Sequence, residues 1–369
     1  MRTVSFIILG VAALICLGLL MVFNTTSAEI IDKGVVTYIP LLKQTMYISF
    51  GIGIGVLCYF IGYEFFLHRG KLIYAFLIFL LIAVFLPKIG SCVNGSSRWI
   101  NIFGLSLQPS EFMKVGFPIF YLYLLKTADN TVSFKRFCVW LMFLVLPICL
   151  IIMEPDNGTA FILIVTMILL FFITKIKLRY WAIPTGFFLM VMLSTALSMP
   201  HVTARITSYL NPESDILGKG HQAYQAKIAA GCGSFFGKGL GESMQKYHYL
   251  PEARSDYIAA IFAEEFGFVG IFILVSLYSL VAALGSYVAF ATKDMYAHFL
   301  VITYTFIISF GAFLNLGIVS GMLPSKGTNL PFFSLGGSSF LSNLLMIAII
   351  LSVHKKTCAT EKKFLGGFA

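Results

Sequence analysis

"YLPEARSDYIAAIFAEE", residues 249–265, places ionisable side chains directly before and inside the start of a long apolar run. The charged residues of this stretch are Glu252, Arg254, Asp256, Glu264 and Glu265. A charge at the centre of a bilayer costs about 3 kcal/mol or more, so such residues normally face a protein interior or a watery cavity. The stretch therefore indicates a membrane helix whose first turns border a polar, functional region.

The composition of the whole chain is that of an integral membrane protein. Hydrophobic residues make up 59% and charged residues 11% of the 369 residues, whereas a soluble domain has roughly 25% charged residues. A helix needs about 20 apolar residues to cross a bilayer, so this length holds about ten crossings and their connectors. We predict an all-α polytopic membrane protein that forms a single domain over residues 1–369.

Ten apolar windows, each taken as one transmembrane helix, follow from the hydropathy pattern. They lie near residues 5–23, 45–66, 72–87, 111–126, 138–153, 159–174, 181–198, 257–291, 297–319 and 338–353. The first window lacks a convincing small-residue cleavage site, so we expect it to be retained as a signal anchor. The window at 257–291 is longer than one crossing needs, which indicates either a tilted helix or one that continues beyond the membrane.

Lysine and arginine are concentrated in alternate connectors, and this asymmetry predicts the orientation. With the N-terminus inside, the cytoplasmic segments contain Arg2, Arg69, Lys71, Lys126, Lys135, Arg136, Lys175, Lys177, Arg179, Lys293, Lys355, Lys356, Lys362 and Lys363. The short outer loops contain Lys33, Lys43, Lys88, Arg98 and Lys326. Both termini are therefore predicted to be cytoplasmic. The net charge of +10 is spread among short connectors, which argues against nucleic-acid binding.

Two outer connectors, at residues 88–110 and 199–256, are longer than plain turns. Loops of more than about 15 residues are usually functional or disordered. The glycine and aromatic residues of the second loop favour an ordered structure along the membrane surface. Cys92 and Cys232 fall one in each loop, a location that permits a disulfide although their spacing does not indicate one. Function is predicted to concentrate on the outer face.

The stretch "QPSEFMK", residues 108–114, contains an acid and a base three residues apart on one helix face. Inside a membrane, Glu111 and Lys114 are expected to face a cavity and contribute to function, or else to form an ion pair that only fixes packing. Just upstream, Arg98 is either a functional group or an interfacial anchor beside Trp99. In "EPDNGTA", residues 154–160, the pattern favours a turn in which Asp156 or Thr159 caps the next helix.

Asp256 lies where the loop at 199–256 meets the apolar run, with Glu252 before it and Glu264 eight residues after it. On a helix this spacing would place the two acids on about the same face as Asp256. A carboxylate beside an apolar cavity and other acids is expected to have a raised pKa, which suits a general base. A helix cap at Ser255 or Asp256 is an equally good explanation.

The stretch "LPSKGTNLPFFSLGGSS", residues 323–339, has the features of an anion site. Gly336, Gly337, Ser338 and Ser339 lie at a predicted helix start, where the first backbone N–H groups have no partner within the helix and can bind an anion. Further positive charge on the outer side comes from Lys114, Lys238, Lys246 and Lys326. The chain has no Walker loop, zinc motif or Ser-His-Asp arrangement, so ATP hydrolysis and proteolysis have no support.

Four blocks in order along the chain resemble the SEDS family (shape, elongation, division and sporulation) of polytopic glycosyltransferases. These blocks are "SSRWINIFGLSLQPSEFMK" at 96–114, "EPDNGTA" at 154–160, "GKGLGESMQKYHYLPEARSDYIAAIFAEEFGFVG" at 237–270 and "NLGIVSGMLPSKGTNLPFFSLGGSS" at 315–339. The forms "LPSKG" and "ESMQKYHYLPEA" are more similar to the FtsW division branch than to the RodA elongation branch. The chain departs from the family pattern at Cys232, Arg254, Ser255 and Leu335.

The resemblance implies a peptidoglycan glycosyltransferase of the cytoplasmic (inner) membrane that polymerises lipid II on the outer face, with Asp256 as the catalytic base. Undecaprenyl pyrophosphate would leave with inversion, its charge stabilised by lysines with or without a divalent cation, Mg²⁺ or Mn²⁺. The expected substrate-binding residues are Arg98, Glu111, Lys114, Gln225, Lys246, Glu252, Lys326, Ser338 and Ser339.

The expected partners are lipid II, a class B penicillin-binding transpeptidase and other proteins of the division or elongation complex. Two other functions stay open. A lipid II flippase would need acids on both sides of the membrane path, whereas the candidate acids here lie mostly outside. A non-catalytic division scaffold would function without the Asp256 carboxylate.

Overall fold

The structure is a computed structural model, and it describes residues 2–33, 38–86, 90–93, 96–102, 104–128, 132–197, 203, 209, 221–247, 250–324 and 327–366. The helices are α1 (Arg2–Lys33), α2 (Ile39–Ile61), α3 (Tyr63–His68), α4 (Gly70–Ala83), α5 (Pro109–Thr127), α6 (Phe134–Met153), α7 (Asn157–Ile173), α8 (Leu178–Leu197), α9 (His221–Cys232), α10 (Ile258–Ala291), α11 (Met295–Val319) and α12 (Gly337–Gly366). Three strands lie between α4 and α5: β1 (Gly90–Val93), β2 (Ser96–Ile102) and β3 (Leu105–Leu107).

Each apolar window of the sequence overlaps a helix, and the window at 45–66 covers both α2 and α3, which are separated at Gly62. Within the described residues, six helices are long and apolar enough to cross a membrane: Thr3–Ser27, Ile39–Ile61, Phe134–Met153, Ile258–Ala291, Met295–Val319 and Gly337–Thr360. Large apolar side chains such as Phe60, Phe79 and Phe290 are exposed on the outside of the bundle, as expected of a surface covered by lipid. The protein is a multi-pass membrane protein, and the number of ten crossings stays a prediction.

Helix α5 is buried on nearly every side. It packs against α4, α6, α7, α11 and α12, and Met113, Phe117, Tyr121 and Leu122 have no exposed surface. A helix that is enclosed all round is predominantly apolar, and any charge it carries is stable only when it is paired. The first turns of α5 therefore require a partner for each charged side chain.

The strands between α4 and α5 form a small antiparallel sheet in the order β1-β2-β3. Trp99 is opposite Ser91, and Ile100 is opposite Leu107. The all-α prediction missed this sheet, although the Asn94-Gly95 pair between two strands is a typical hairpin signal. The sheet leads the chain to the start of α5 and positions Arg98.

Helix α10 is broken at Gly267, whose φ of 62° and ψ of −159° are not helical. Residues with side chains essentially do not adopt this conformation. Residues 233–239 lie in the break and satisfy its backbone hydrogen bonds. The amides of Phe268 and Val269 donate to the carbonyls of Ser234 and Phe235, and those of Lys238 and Gly239 donate to Glu264 and Glu265. The overlong window is thus two helical segments joined through part of the long loop.

Candidate functional site

The starts of α5, α7, α10 and α12 lie together at one end of the bundle, which we call the Asp256 end. The hydroxyl of Ser110 donates to the carboxylate of Asp156 at 3.1 Å, which joins the start of α5 to that of α7. The backbone amide of Gln108 donates to the hydroxyl of Ser338 at 2.8 Å, which joins α5 to α12. The outer groups proposed from sequence therefore converge in space.

Asp256 lies in the turn that precedes α10 and is half-buried. The amide of Asn315 donates to the backbone carbonyl of Asp256 at 2.8 Å and to that of Thr328 at 2.6 Å. A Cβ atom added at Gly327 would lie 2.8 Å from Oδ2 of Asp256, so the carboxylate rests against the Gly327 backbone. Asn315 thus holds the Asp256 turn beside the segment that follows α11.

The helix-cap interpretation of Asp256 is wrong. The N-cap residue of α10 is Tyr257, which makes no side-chain cap, and the hydroxyl of Ser255 instead donates to the carboxylate of Glu252 at 2.8 Å. The side chain of Asp256 is therefore not used to begin the helix. The role of the carboxylate as a general base stays a prediction.

Glu111 and Lys114 form a buried ion pair in the first turns of α5. Their carboxylate and ammonium groups are 2.6 Å apart, with side chains that are 11% and 8% exposed. The hydroxyl of Ser342 on α12 also contacts the Glu111 carboxylate, at 3.3 Å. The expectation that the two residues pair is confirmed, whereas their part in substrate binding stays a prediction.

Ser338 and Ser339 are buried at the start of α12. The Ser338 hydroxyl donates to the carbonyl of Ser106 at 3.3 Å and accepts the Gln108 amide. The Ser339 hydroxyl accepts a bond of 3.4 Å from the amide of Asn343. Both hydroxyls therefore have protein partners that tie α12 to its surroundings. Their binding of an anion remains untested.

Arg98 reaches from β2 to the connector between α6 and α7. Its guanidinium donates to the backbone carbonyls of Glu154 and Pro155, at 2.7 and 2.6 Å. Asp156 caps α7 by accepting the amide of Thr159 at 3.2 Å, as the sequence indicated. Its other carboxylate oxygen accepts bonds from Gln108 and Ser110. This connector is therefore fastened to both the sheet and α5.

Glu154 has a different environment in the same connector. It is 1% exposed, and within the described part of the chain neither oxygen of its carboxyl group has a hydrogen-bond partner. Burial and the charge of Asp156 raise the pKa of Glu154 to about 9, although the Arg98 guanidinium acts in the opposite direction. The group is therefore protonated and neutral near pH 7.

Lys246 joins the long loop to the break in α10. Its ammonium contacts Oε1 of Glu265 at 3.1 Å, Oδ1 of Asn24 at 2.9 Å and the carbonyl of Gly241 at 2.5 Å. The side chains of Lys246 and Glu265 are 3% and 0% exposed. Three protein acceptors thus surround the cation that we expected to bind substrate. The contacts favour a role in holding the loop.

Glu264 serves the same loop from the neighbouring position. Its carboxylate accepts bonds from the hydroxyl of Ser243 and the amides of Met244 and Gln245, and it pairs with Lys238 at 2.6 Å. Glu252 lies in a turn with a φ of 54°, outside α10. The expected row of Glu252, Asp256 and Glu264 on one helix face is therefore wrong. Glu264 and Glu265 both bind the long loop, which explains why charged residues are concentrated in the stretch 249–265.

The remaining residues proposed from sequence are Gln225, Lys326 and Cys232. Gln225 lies on α9 and is half-buried, and α9 packs against α10 and α11. Lys326 lies outside the described residues. Cys232 is a free, exposed cysteine, so the disulfide that its location permitted is not formed.

Sequence reasoning missed Asn315 and Asn24. Both are amides on otherwise apolar helices, and a polar residue in such a position is the signal that could have identified them. Asn315 positions the Asp256 turn, and Asn24 bridges the buried pair of Lys246 and Glu265. Each supports a functional segment from a different helix.

The arrangement offers little to a divalent cation. Across the described ranges, no three His, Cys, Asp or Glu side chains are close enough to hold a metal ion. The acids nearest to Asp256 in sequence have other partners: the hydroxyl of Ser255 for Glu252, and Lys238 and Ser243 for Glu264. The described residues therefore supply no complete set of protein ligands for a metal, and the chemistry below is derived from protein groups.

Comparisons with known proteins agree with this architecture. Residues 4–359 match the family model FTSW_RODA_SPOVE, described as "Cell cycle protein". Two solved structures have the same fold: a chain of a peptidoglycan synthase complex, with a TM-score of 0.77 and 23% identity over 95% of this chain and 97% of that chain, and the rod shape determining protein RodA of Thermus thermophilus, with a TM-score of 0.70 and 21% identity over 95% and 96%.

Curated proteins are more similar in sequence. Stage V sporulation protein E of Bacillus subtilis is 34% identical over 93% of this chain and 94% of its own length. A probable peptidoglycan glycosyltransferase FtsW of Thioalkalivibrio sulfidiphilus is 36% identical over 95% of this chain and 88% of its own length. The match of the family model over nearly the whole chain, together with these relatives, shows that the protein belongs to the FtsW/RodA/SpoVE family, the SEDS proteins.

Proposed function

We propose that this protein is a peptidoglycan glycosyltransferase that polymerises lipid II, with Asp256 as the general base. The observation that carries the proposal is the Asp256 turn, which Asn315 holds beside the Gly327 segment without using the carboxylate as a helix cap. Relatives named as probable peptidoglycan glycosyltransferases support the reaction class. The FtsW-like sequence forms favour a role in division over one in elongation.

In the proposed reaction, the Asp256 carboxylate takes the proton of the GlcNAc 4-hydroxyl of one lipid-linked sugar. The oxygen forms a bond to the anomeric carbon of MurNAc on the other, and the bond from that carbon to undecaprenyl pyrophosphate breaks. Inversion gives a β-1,4 link, and Asp256 then returns its proton to water. A base of this kind typically accelerates a reaction by about 10² to 10⁴-fold.

Charge on the departing pyrophosphate requires a cation. Lys114 and Lys246 have buried carboxylate partners, Glu111 and Glu265. The positive charge of each lysine is therefore already balanced by its partner. Lys326 directly precedes Gly327, the residue against which the Asp256 carboxylate rests. We therefore assign Lys326 to the leaving group.

The orientation proposed from sequence places the Asp256 end outside the cytoplasm. The basic connectors follow α5, α7 and α10, whereas the Asp256 site is built from the starts of α5, α7, α10 and α12. Each of these connectors follows the far end of a helix whose start helps to build the site, so the connectors lie at the opposite end of the bundle, the end that the positive-inside rule assigns to the cytoplasm. A class B penicillin-binding transpeptidase is the proposed partner that cross-links the product.

The test is lipid II polymerisation by the purified full chain with its transpeptidase partner, read on a gel. Asp256→Asn is nearly isosteric and removes the base, so we expect polymer to fall by at least about a hundredfold. Glu242→Gln, at an exposed loop position, is the matched control and should polymerise like the wild type. Wild-type activity of Asp256→Asn would refute the assignment.

Two further measurements, transport by the wild type and growth with Asp256→Asn, separate the alternatives. A flippase predicts that the wild-type chain moves lipid II across liposome membranes without forming polymer. A scaffold predicts that Asp256→Asn still supports growth in cells that lack the native gene. Loss of polymer together with loss of growth supports the glycosyltransferase.

A further inference from the structure

The end of the bundle opposite Asp256 contains a cavity of about 960 Å³. It lies where α5 ends, where α6, α8 and α11 begin and where the chain turns after α7. We call it the basic cavity, and the polar residues in its lining include Ser133, Arg136, Thr174, Lys175, Lys177 and His298. It is separate from the Asp256 site, so it needs its own explanation.

Among the described residues, the charged groups that line the basic cavity are all basic. Arg136, Lys175 and Lys177 have exposed side chains, and His298 is half-buried in the wall. None of the described residues that line the cavity is an Asp or Glu. Arg and Lys together with hydroxyl groups are the usual protein ligands of phosphate. The cavity therefore has the chemistry of a site for a phosphate-bearing anion.

Lys175 is present at a position where the backbone favours glycine. Its φ is 55°, and the amides of Lys175 and Ile176 donate to the carbonyls of Phe172 and Phe171 at 3.1 Å. This is the pattern of a helix C-terminus whose left-handed residue is usually Gly. Glycine would suit this turn at least as well, so what Lys175 adds is a charged side chain in the lining of the cavity.

One lining residue of the cavity, Tyr180, borders the exposed apolar surface of the bundle. Tyr180 contacts the exposed ring of Phe134 edge-on, with ring centres 5.5 Å apart, and Leu178 and Ile183 of α8 are exposed. The ammonium of Lys177 lies 5.8 Å from the centre of the Tyr180 ring. A Tyr with basic neighbours at the edge of an apolar surface is typical of the level of lipid headgroups.

We propose that the basic cavity binds the headgroup of an anionic phospholipid from the surrounding leaflet. Arg136, Lys175 and Lys177 contact the phosphate, while the acyl chains lie along the exposed apolar face of α8. Basic pockets between membrane helices are known to take such headgroups. The inference does not depend on the proposed glycosyltransferase activity.

The test is a titration of the detergent-purified full chain with cardiolipin, phosphatidylglycerol and phosphatidylcholine, in which native mass spectrometry counts the bound lipids. We expect the triple variant Arg136→Gln/Lys175→Gln/Lys177→Gln to lose about tenfold or more of its affinity for the anionic lipids. The control is Arg69→Gln/Lys71→Gln/Lys355→Gln, which removes the same charge from exposed positions outside the cavity. It should bind like the wild type.

Lys175→Gly makes the test independent of folding. Glycine suits the left-handed backbone, so this variant should melt at the wild-type temperature or higher while binding cardiolipin more weakly. Equal loss in the two triple variants, or wild-type binding by the cavity triple, would overturn the proposal. Inorganic phosphate is the competitor for a soluble anion, and displacement of cardiolipin by submillimolar phosphate would also overturn the lipid assignment.

Discussion

Lys246 and Glu265 form a buried ion pair of 3.1 Å between the long loop and the break in α10. Asn24 on α1 contacts both partners: its amide nitrogen donates to Glu265 at 2.5 Å, and its amide oxygen accepts from Lys246 at 2.9 Å. Asn24 of α1 is thus joined to two residues that lie ten before and nine after Asp256 in the sequence. The pair fixes the path by which the loop reaches the proposed base.

Removal of Lys246 should destabilise the protein strongly. Lys246→Met leaves the Glu265 charge buried without its counter-ion, at a cost of about 3 to 5 kcal/mol. We expect a clear fall in the midpoint of thermal unfolding in detergent. The control is Lys238→Met: Lys238 is 34% exposed, and Glu264 keeps three other donors in its absence. Equal midpoints for the two variants would contradict the importance of the buried pair.

Gly267→Ala should displace the loop residues 233–239 from the break in α10. A Cβ atom at Gly267 would lie 2.3 Å from the amide nitrogen of Gly237, and the residue has a backbone conformation that only glycine adopts readily. We expect a lower unfolding midpoint and faster proteolysis of residues 233–247. Gly53→Ala is the control, because a Cβ there meets nothing within 4 Å and alanine favours a helix by about 0.5 to 1 kcal/mol. A midpoint for Gly267→Ala at or above that of the wild type would contradict the strain.

The helices could be predicted from sequence because each membrane helix must carry a long apolar run. The windows at 111–126 and 297–319, for example, lie within α5 and α11. The sheet at 90–107 was missed because its strands are short and lie in a connector, where hydropathy carries little information. Only the Asn94-Gly95 pair marks it.

The partners of Glu264 and Glu265 could not be predicted from sequence. Spacing along a helix shows which face a side chain shares, but it gives no information on a loop that enters a helix break. Nothing in the sequence indicates that Gly233 and Gly237 of the loop meet Gly267 of the apolar run, as they do in the structure. Asn315 was missed for the same reason, since its partners at 256 and 328 are brought to it only by the tertiary fold.

The stability of the protein should depend on the protonation of Glu154. Folding raises the pKa of this acid from 4.5 to about 9, so the folded state holds its proton more tightly than the unfolded state. The stabilisation is therefore complete below the lower pKa and is lost progressively as the pH rises toward the higher one.

Glu154→Gln replaces the neutral acid with a neutral amide and removes this dependence. We expect the unfolding midpoint of the variant to rise relative to that of the wild type between about pH 5 and about pH 8. Glu242→Gln, which removes a charge from an exposed loop position, provides the control series. A difference between Glu154→Gln and the wild type that stays constant across this range would show that Glu154 is ionised in the folded protein.

The ion pair of Glu111 and Lys114 allows stability and activity to be separated. Lys114→Met leaves the Glu111 carboxylate enclosed, with the Ser342 hydroxyl as its one remaining side-chain partner among the described residues, so the variant should lose about 3 to 5 kcal/mol of stability. The double variant Glu111→Gln/Lys114→Met removes both charges and should recover most of the unfolding midpoint. Lys126→Met, at an exposed position near the other end of α5, controls for the loss of a lysine.

Polymerisation of lipid II by the double variant then decides what the pair does. If the two charges border the substrate, as we expect, the folded double variant produces little or no polymer, because neutral side chains of similar size restore packing but not the field around the reacting sugars. A double variant that melts like the wild type and polymerises at its rate would show that Glu111 and Lys114 only hold α5 against α12.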